Sequence, residues 1–266
     1  MGKHQIDLIV IDWDGTGKPD VGVTGAWDEG SYFGLTNLVT TLKSSNNYPP
    51  LILCTGRPHN YVVCAIQSIG AYWEGFPSIC ENGGTFYDPM TKETMFHPKL
   101  LKPGTDELSV TWRDFITALE NDVKYFTSRT NGKFELGRAA TVTIRPPQGT
   151  TIQEYFQQVC GFLSMYKSSI EITHSSSAVD IMPEGVTKGT ALRHLADSLA
   201  ISLEHVLFIG DSRNDISAFN VAGIKAAPAN ATDEIKDLVL ASENGYVADK
   251  KTSLGVCVIV YHYLGL

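Results

Sequence analysis

Short, fully apolar runs alternate with stretches of helical spacing over the first eighty residues. Residues 6–11 predict a buried strand built on Leu8-Ile9-Val10-Ile11. Residues 31–43 place Leu35, Leu38, Val39 and Leu42 on one helical face. Residues 51–54 predict a second buried strand, and residues 60–69 a helix with Val62, Val63, Ile66 and Ile69 inward. Residues 78–80 predict a third strand, stopped by Glu81-Asn82-Gly83-Gly84. Alternation of this kind, with strands apolar on both faces, predicts a doubly wound, Rossmann-like parallel sheet covered by helices on both sides.

The pattern changes between about residues 84 and 183. Residues 85–87 and 94–97 read as a hairpin around Asp88-Pro89-Met90-Thr91. A helix over 110–120 follows, then alternating strands at 133–136 and 141–145, and Pro146-Pro147-Gln148-Gly149 breaks the chain. Residues 151–166 predict a second helix, and 169–173 with 178–182 a further hairpin. Two helices on a mostly antiparallel sheet make an α+β unit. This stretch, 84–183, is therefore expected to be a domain inserted into a core formed by 1–83 and 184–266. The α/β pattern then returns. Helices are expected at 187–199 behind Thr187, at 214–221, at 231–241 behind Thr232, and at 253–264. Strands are expected at 206–209 and 224–226.

Composition narrows the function. The chain of 266 residues is 43% hydrophobic, enough for one large or two modest buried cores. Its net charge of -8, with no block of Lys or Arg, excludes nucleic acid as the expected partner, because backbone binding needs clustered positive charge. No apolar run approaches a membrane span, and no signal-peptide apolar region follows Met1. The five cysteines are scattered, odd in number and without a C-x-x-C pair. They read as reduced thiols of a cytoplasmic protein, expected as a monomer or homodimer. Cys54 lies beside the expected site but has no neighbouring His placed to activate it, so it reads as a buried strand residue.

The chemistry gathers at the carboxyl ends of the expected core strands, where doubly wound sheets bind ligands. Asp12-Trp13-Asp14-Gly15-Thr16 follows the first strand directly. Two carboxylates two positions apart point the same way and raise each other's pKa unless a cation neutralises them. Such a pair suits a hard metal ion or a shared proton; an ordinary Asp-Gly turn is the competing reading of the pentapeptide alone. Thr55-Gly56-Arg57 follows the second strand, Lys188-Gly189 opens a helix, and Gly210-Asp211-Ser212-Arg213-Asn214-Asp215 follows a later strand. Each group has a task in phosphoryl transfer. A carboxylate can attack phosphorus, a second carboxyl can protonate the leaving oxygen, and Mg²⁺ takes carboxylate and carbonyl oxygens. A hydroxyl, backbone N–H groups and an ammonium can hold the remaining phosphoryl oxygens.

In this order the four groups resemble the motifs of the haloacid dehalogenase superfamily of phosphohydrolases. D-W-D-G-T at 12–16 is similar to the first motif, Thr55 in L-C-T-G-R-P to the second, Lys188 in E-G-V-T-K-G-T-A-L to the third, and G-D-S-R-N-D at 210–215 to the fourth. Glu81-Asn82-Gly83-Gly84 and the insert resemble the Cof-like branch, which includes sucrose-phosphate phosphatase and carries an α/β cap. The resemblance implies Asp12 as nucleophile and Mg²⁺ ligand. It implies Asp14 as general acid/base, with its backbone carbonyl on the metal. Thr55, Gly56, Lys188 and Asn214 would hold phosphate, and Asp211 and Asp215 would complete or support the metal site. One departure is Gly17-Lys18-Pro19-Asp20, where the family carries an aliphatic residue after the threonine. Lys18 there reads as exposed or, alternatively, as a substrate contact.

The expected activity is Mg²⁺-dependent hydrolysis of a small phosphorylated metabolite, foremost a sugar phosphate. A phosphomutase of the same superfamily is the enzymatic alternative, and a phospho-accepting receiver the non-enzymatic one. Receivers are about half as long, have no inserted domain, and carry the phosphorylated Asp on a later strand. Cap candidates for substrate contact are Arg138, Arg145, His174 and Ser175-Ser176-Ser177.

Overall fold

The structure is a computed structural model that describes residues 5–19 and 27–266. The first segment runs β1 (Leu8–Ile11), α1 (Glu29–Lys43), β2 (Leu51–Leu53), α2 (His59–Ile69), β3 (Ser78–Cys80), β4 (Thr85–Asp88) and β5 (Glu93–Phe96). Next come α3 (Val110–Thr130), β6 (Lys133–Phe134), β7 (Val142–Arg145), α4 (Ile152–Phe162), β8 (Ile170–His174) and β9 (Val179–Pro183). The chain ends with α5 (Lys188–Ser198), β10 (Val206–Ile209), α6 (Ile216–Phe219), β11 (Ile224–Ala227), α7 (Asp233–Leu240), β12 (Tyr246–Val247) and α8 (Thr252–Leu264).

Five strands form a parallel sheet in the order β12-β11-β10-β1-β2. β1 alternates its side chains between the two faces. Ile9 and Ile11 join Leu35, Leu38, Val62, Ile66, Ile259 and Val260 from α1, α2 and α8. Leu8 and Val10 join Leu192, Leu195, Phe219, Ile235 and Val239 from α5, α6 and α7. Each fully buried aliphatic or aromatic side chain contributes about 1.5–3 kcal/mol of transfer free energy, so the sheet is clamped from both sides. This is the doubly wound α/β fold that the apolar runs predict. A separate antiparallel sheet, β6-β7-β9-β8, packs on α3 and α4 through Leu119, Val123, Ile144, Tyr155 and Ile181.

Several local expectations change. β3 touches the parallel sheet by one bridge, Cys54 to Ile79, and pairs antiparallel with β4. The hairpin of β4 and β5 therefore extends from the core side rather than lying in the four-stranded sheet. α3 continues ten residues past the expected end at 120, because Val123 and Phe126 prolong the buried spacing of Ile116 and Leu119. It stops where Asn131 turns left-handed, at φ 56. The helix expected over 151–166 ends at Phe162 and finishes as a 3-10 turn over Ser164–Tyr166. That expected over 214–221 is a 3-10 turn, Arg213–Asp215, followed by the single turn of α6. Thr187 caps α5 reciprocally with Thr190, whereas Thr232 occupies the cap position of α7 without a side-chain bond. Among the described residues no helix is long and apolar enough to cross a membrane, and all five cysteines are free thiols.

Phe208 is fully buried on β10 and meets Phe219 edge-on at 5.0 Å. Phe208→Ala is expected to lower unfolding free energy by about 3–5 kcal/mol, read from the urea midpoint. A loss below about 1 kcal/mol would mean that this face of the sheet repacks freely.

Candidate active site

Parallel pairing in register brings the ends of β1 and β10 side by side, with Ile11 opposite Ile209. Asp12 and Gly210-Asp211 therefore leave the sheet together, and the Asp12 N–H donates to the Ile209 carbonyl at 2.8 Å. Beyond the end of β2, Thr55 is buried and its hydroxyl accepts from the Arg57 N–H at 3.1 Å. Lys188, the first residue of α5, reaches back under all of these. Its ammonium donates to Asp12 Oδ1 at 2.7 Å and to Asp215 Oδ1 at 2.6 Å, entirely out of solvent. Asp215 Oδ2 in turn accepts the backbone N–H groups of Asp211 and Ser212 at 3.0 and 3.2 Å.

Burial works against Lys188, but the two carboxylates beside it outweigh burial and hold its pKa well above the ordinary lysine value. Asp12 is pushed well up by burial, with Asp215 and Asp211 adding repulsion and Lys188 opposing it. One ammonium thus faces three carboxylates. Oxygen atoms of Asp12, Asp211 and Asp215 lie within 4.8 Å of one another. An all-oxygen, carboxylate-rich set of this size fits a hard divalent cation and lacks the nitrogen or sulfur ligands of a softer one. Thr16 steadies the set by donating to Asp211 Oδ1 at 3.0 Å. Gly15 makes it possible: its φ is 88, and a Cβ there would run into the Asp211 carboxylate.

Asp14 sits in a different environment two residues on. Arg57 grips it through two bonds, Nε to Oδ2 at 2.6 Å and Nη2 to Oδ1 at 2.9 Å. Lys18 adds an ion pair to Oδ1 at 2.6 Å. Burial raises the Asp14 carboxyl, yet Arg57 and Lys18 together leave it below the usual carboxylate range. Lys18 is not freely exposed: it is 17% exposed, paired with Asp14 and bonded to the Pro19 carbonyl at 3.0 Å. The loop that carries it is closed by Lys18 N–H to Trp13 O at 2.9 Å and Gly15 N–H to Lys18 O at 2.8 Å. Asp20, the last residue of the departing segment, lies outside the described residues.

A cavity of about 480 Å³, counted with its open mouth, opens over Asp12 and Asp14. Asp12, Asp14, Thr55, Gly56 and Asn214 line it from the parallel sheet, and Arg138, Arg145 and Ser175-Ser176-Ser177 from the insert. Asn214 is oriented by Ser212, whose hydroxyl donates to Asn214 Oδ1 at 2.8 Å. His174 is not among the lining residues; its ring packs edge-on against Phe156 at 4.9 Å. Cys54 is fully buried, and burial pushes its thiol pKa up, as befits a strand residue and not a nucleophile.

Sequence reasoning gave no role to Arg57, Glu135 or Glu81. Arg57 had a signal, since it stands in the T-G-R turn. Glu135 had none: an isolated acidic residue in a weak strand, it pairs with both cap arginines. Buried Glu81 accepts the backbone N–H groups of Ala139, Ala140 and Thr141, tying the segment that leads into β7 to the core.

The sequence profile of the haloacid dehalogenase-like hydrolases matches residues 118–256. The chain belongs to that family. A phosphoglycolate phosphatase of Methanobrevibacter smithii is 26% identical over 237 residues, 87% of this chain and 89% of that protein. Among solved structures, a Thermoplasma acidophilum protein shares the fold with a TM-score of 0.72 at 21% identity, covering 99% of this chain and 100% of that one. The sucrose-phosphatase of Synechocystis, solved with sucrose and phosphate, shares it at 0.67 and 18% identity, covering 98% of each chain. The family and its named phosphatases make this chain a phosphoric monoester hydrolase with an α/β core and a cap.

The ion pairs on Asp14 give a pH signature. A carboxyl held low in the folded state contributes stability that is present above its ordinary pKa of about 3.9 and lost as pH falls through the lowered folded value. Wild type is expected to exceed Asp14→Asn by about 1–3 kcal/mol in urea unfolding at neutral pH, the gap closing in strong acid. A gap independent of pH would contradict the assignment.

Proposed function

We propose that the protein is a Mg²⁺-dependent phosphatase acting on a small, hydroxylated phosphomonoester through an aspartyl-phosphate on Asp12. A sugar phosphate or a phosphorylated hydroxy acid fits this description. The phosphoglycolate phosphatase and sucrose-phosphatase named above act on leaving groups of those kinds, and the reduced, scattered cysteines support a cytoplasmic setting. The observation that carries the reading is the Lys188 ammonium held between Asp12 and Asp215, with Asp211 completing an oxygen cluster around Asp12.

In this reading Asp12 attacks phosphorus with the oxygen that Lys188 does not hold. The bond between phosphorus and the leaving oxygen breaks, and Asp14 delivers a proton to that oxygen. Water then attacks the phosphoryl group on Asp12 and gives a proton to Asp14. The bond to Asp12 breaks, and inorganic phosphate leaves. Thr55 Oγ1, the Gly56 N–H, Lys188 and Asn214 hold the phosphoryl oxygens, and Lys188 offsets the charge on Asp12. Asp12, Asp211, Asp215 and the Asp14 carbonyl would hold Mg²⁺, which when bound neutralises phosphoryl charge and aligns the attack. We place the boundary of the substrate-selecting cap within 84–183, with the hairpin of β4 and β5 joined to the core.

Phosphate release is expected to vanish with EDTA and to return with Mg²⁺, while Asp12→Asn lowers kcat by about 10⁴-fold or more, because an amide is a poor nucleophile. Turnover in chelator, or by the variant at a wild-type rate, would overturn the reading. Asp14→Asn is expected to lose more with a sugar phosphate than with p-nitrophenyl phosphate, whose phenolate leaves without a proton. Equal, undiminished turnover of both substrates would remove Asp14 from the chemistry.

A further inference from the structure

Three consecutive residues between β3 and β4 hold the left-handed backbone: Glu81 at φ 50, Asn82 at φ 53 and Gly83 at φ 103. Glycine takes that region freely. Two side-chain-bearing residues in succession do not, so the surroundings must hold them there. The Glu81 N–H donates to the Arg57 carbonyl and the Asn82 N–H to the Thr55 carbonyl, each at 3.0 Å. The Glu81 carboxylate takes the N–H groups ahead of β7. Gly83 lies so close to the carbonyl of Thr187, the cap residue of α5, that a Cβ would collide. The same bonds brace the T-G-R turn. Its remaining carbonyl, at Gly56, accepts from Arg138 of the insert, which acts as a strut.

Asn82 sits in the middle of this knot and is 1% exposed. Its carboxamide lies against Gly56, where a Cβ would stand 3.1 Å from both Oδ1 and Nδ2. Oδ1 accepts from Asn214 Nδ2 at 3.5 Å, the long limit of a hydrogen bond. At its other end Asn214 Oδ1 accepts from the Ser212 hydroxyl. The Asn214 amide is thus oriented through both of its polar atoms, and its second N–H hydrogen is left for a ligand. Asn82 Nδ2 is buried and has no partner among the described residues. A buried donor without an acceptor is costly, and a left-handed non-glycine adds to the cost. A glycine would remove both. Stability therefore gives no reason for asparagine at 82, whereas the place of its amide between Gly56 and Asn214 does.

We propose that Asn82 is a positioning residue for phosphoryl transfer: its carboxamide is the spacer that fixes Asn214 against the Gly56 turn. The inference rests on the phosphatase reading, in which the Gly56 N–H and Asn214 hold phosphoryl oxygens, and deepens it. Those two ligands come from different loops, and Asn82 touches both. Displacing Asn214 takes a donor off the phosphoryl group. The loss then falls on the phosphoryl half of the substrate, whatever the leaving group.

The test measures phosphate release by the Mg²⁺-loaded protein from p-nitrophenyl phosphate and 2-phosphoglycolate. Asn82→Gly keeps the left-handed backbone and removes the carboxamide. It is expected to lower kcat/KM about 10–100-fold, by the same factor for both substrates. Asn82→Ser, whose shorter side chain withdraws from Asn214, is expected to match it. In an Asn214→Ala background Asn82→Gly is expected to cost less than about twofold, because Asn82 acts through Asn214. A merely structural residue would cost the same in both backgrounds. Asn82→Gly turnover within about twofold of wild type overturns the inference. So does a loss confined to one substrate, or a loss of the same size in the Asn214→Ala background. Absence of cooperative urea unfolding in both single variants makes Asn82 a residue of the fold alone and overturns it as well. A wild type that releases phosphate from neither compound overturns the phosphatase reading itself.

Discussion

The site depends on one buried ammonium. Lys188 joins the end of β1 to the loop after β10 by bonding Asp12 and Asp215 at once. Taking three charges out of water costs several kcal/mol each, and only close, hydrogen-bonded pairing offsets that cost. Removing Lys188 would leave two carboxylates buried side by side. A cation in the first turn of a helix also opposes the helix dipole, so α5 does not favour lysine there for its own sake. The fold supplies the setting instead. Thr187 and Thr190 cap α5 reciprocally, and Gly189 lets the helix approach the Ser217 carbonyl so closely that a Cβ would collide. That approach seats α5 on α6 and carries the Lys188 stem beneath the sheet end.

Two carboxylates two residues apart thereby acquire opposite environments. Asp12 is buried and pushed up, whereas Asp14 is gripped by Arg57 and Lys18 and held low. Divergent environments for neighbouring carboxyls are how one loop supports two roles. In the proposed reaction the order must reverse, with Asp12 ionised for attack and Asp14 protonated toward the leaving oxygen. A divalent cation beside Asp12 favours its ionised form. A phosphoryl dianion arriving beside Arg57 and Lys18 competes for the cations that hold Asp14. On that proposal the ion pairs on Asp14 are a resting arrangement that substrate would loosen.

Much of this was legible from residue order. The apolar runs at 8–11, 51–53 and 206–209 marked buried parallel strands, because strands covered on both faces cannot alternate with polar residues. The acidic pair, the T-G-R turn, Lys188 and the acidic loop were found because each follows a strand end or opens a helix. What escaped was set by long-range pairing. The Arg57–Asp14 grip spans 43 residues and the Arg138–Gly56 strut spans 82, and no local spacing encodes either. The placement of β3 escaped for a related reason. A three-residue apolar run fits a central parallel strand and a hairpin edge equally, and its partner decides. His174 was a reasonable candidate by chemistry, but in β8 it points to Phe156.

The central claim is that Asp12 itself carries the phosphoryl group during turnover. The most direct measurement is rapid acid quench of the Mg²⁺-loaded protein in steady turnover, followed by peptide mass mapping. The expected result is a phosphoryl group on the peptide containing Asp12, removed by hydroxylamine as an acyl phosphate must be. Sustained phosphate release with the label absent from that peptide, or resident on another residue, would contradict the account.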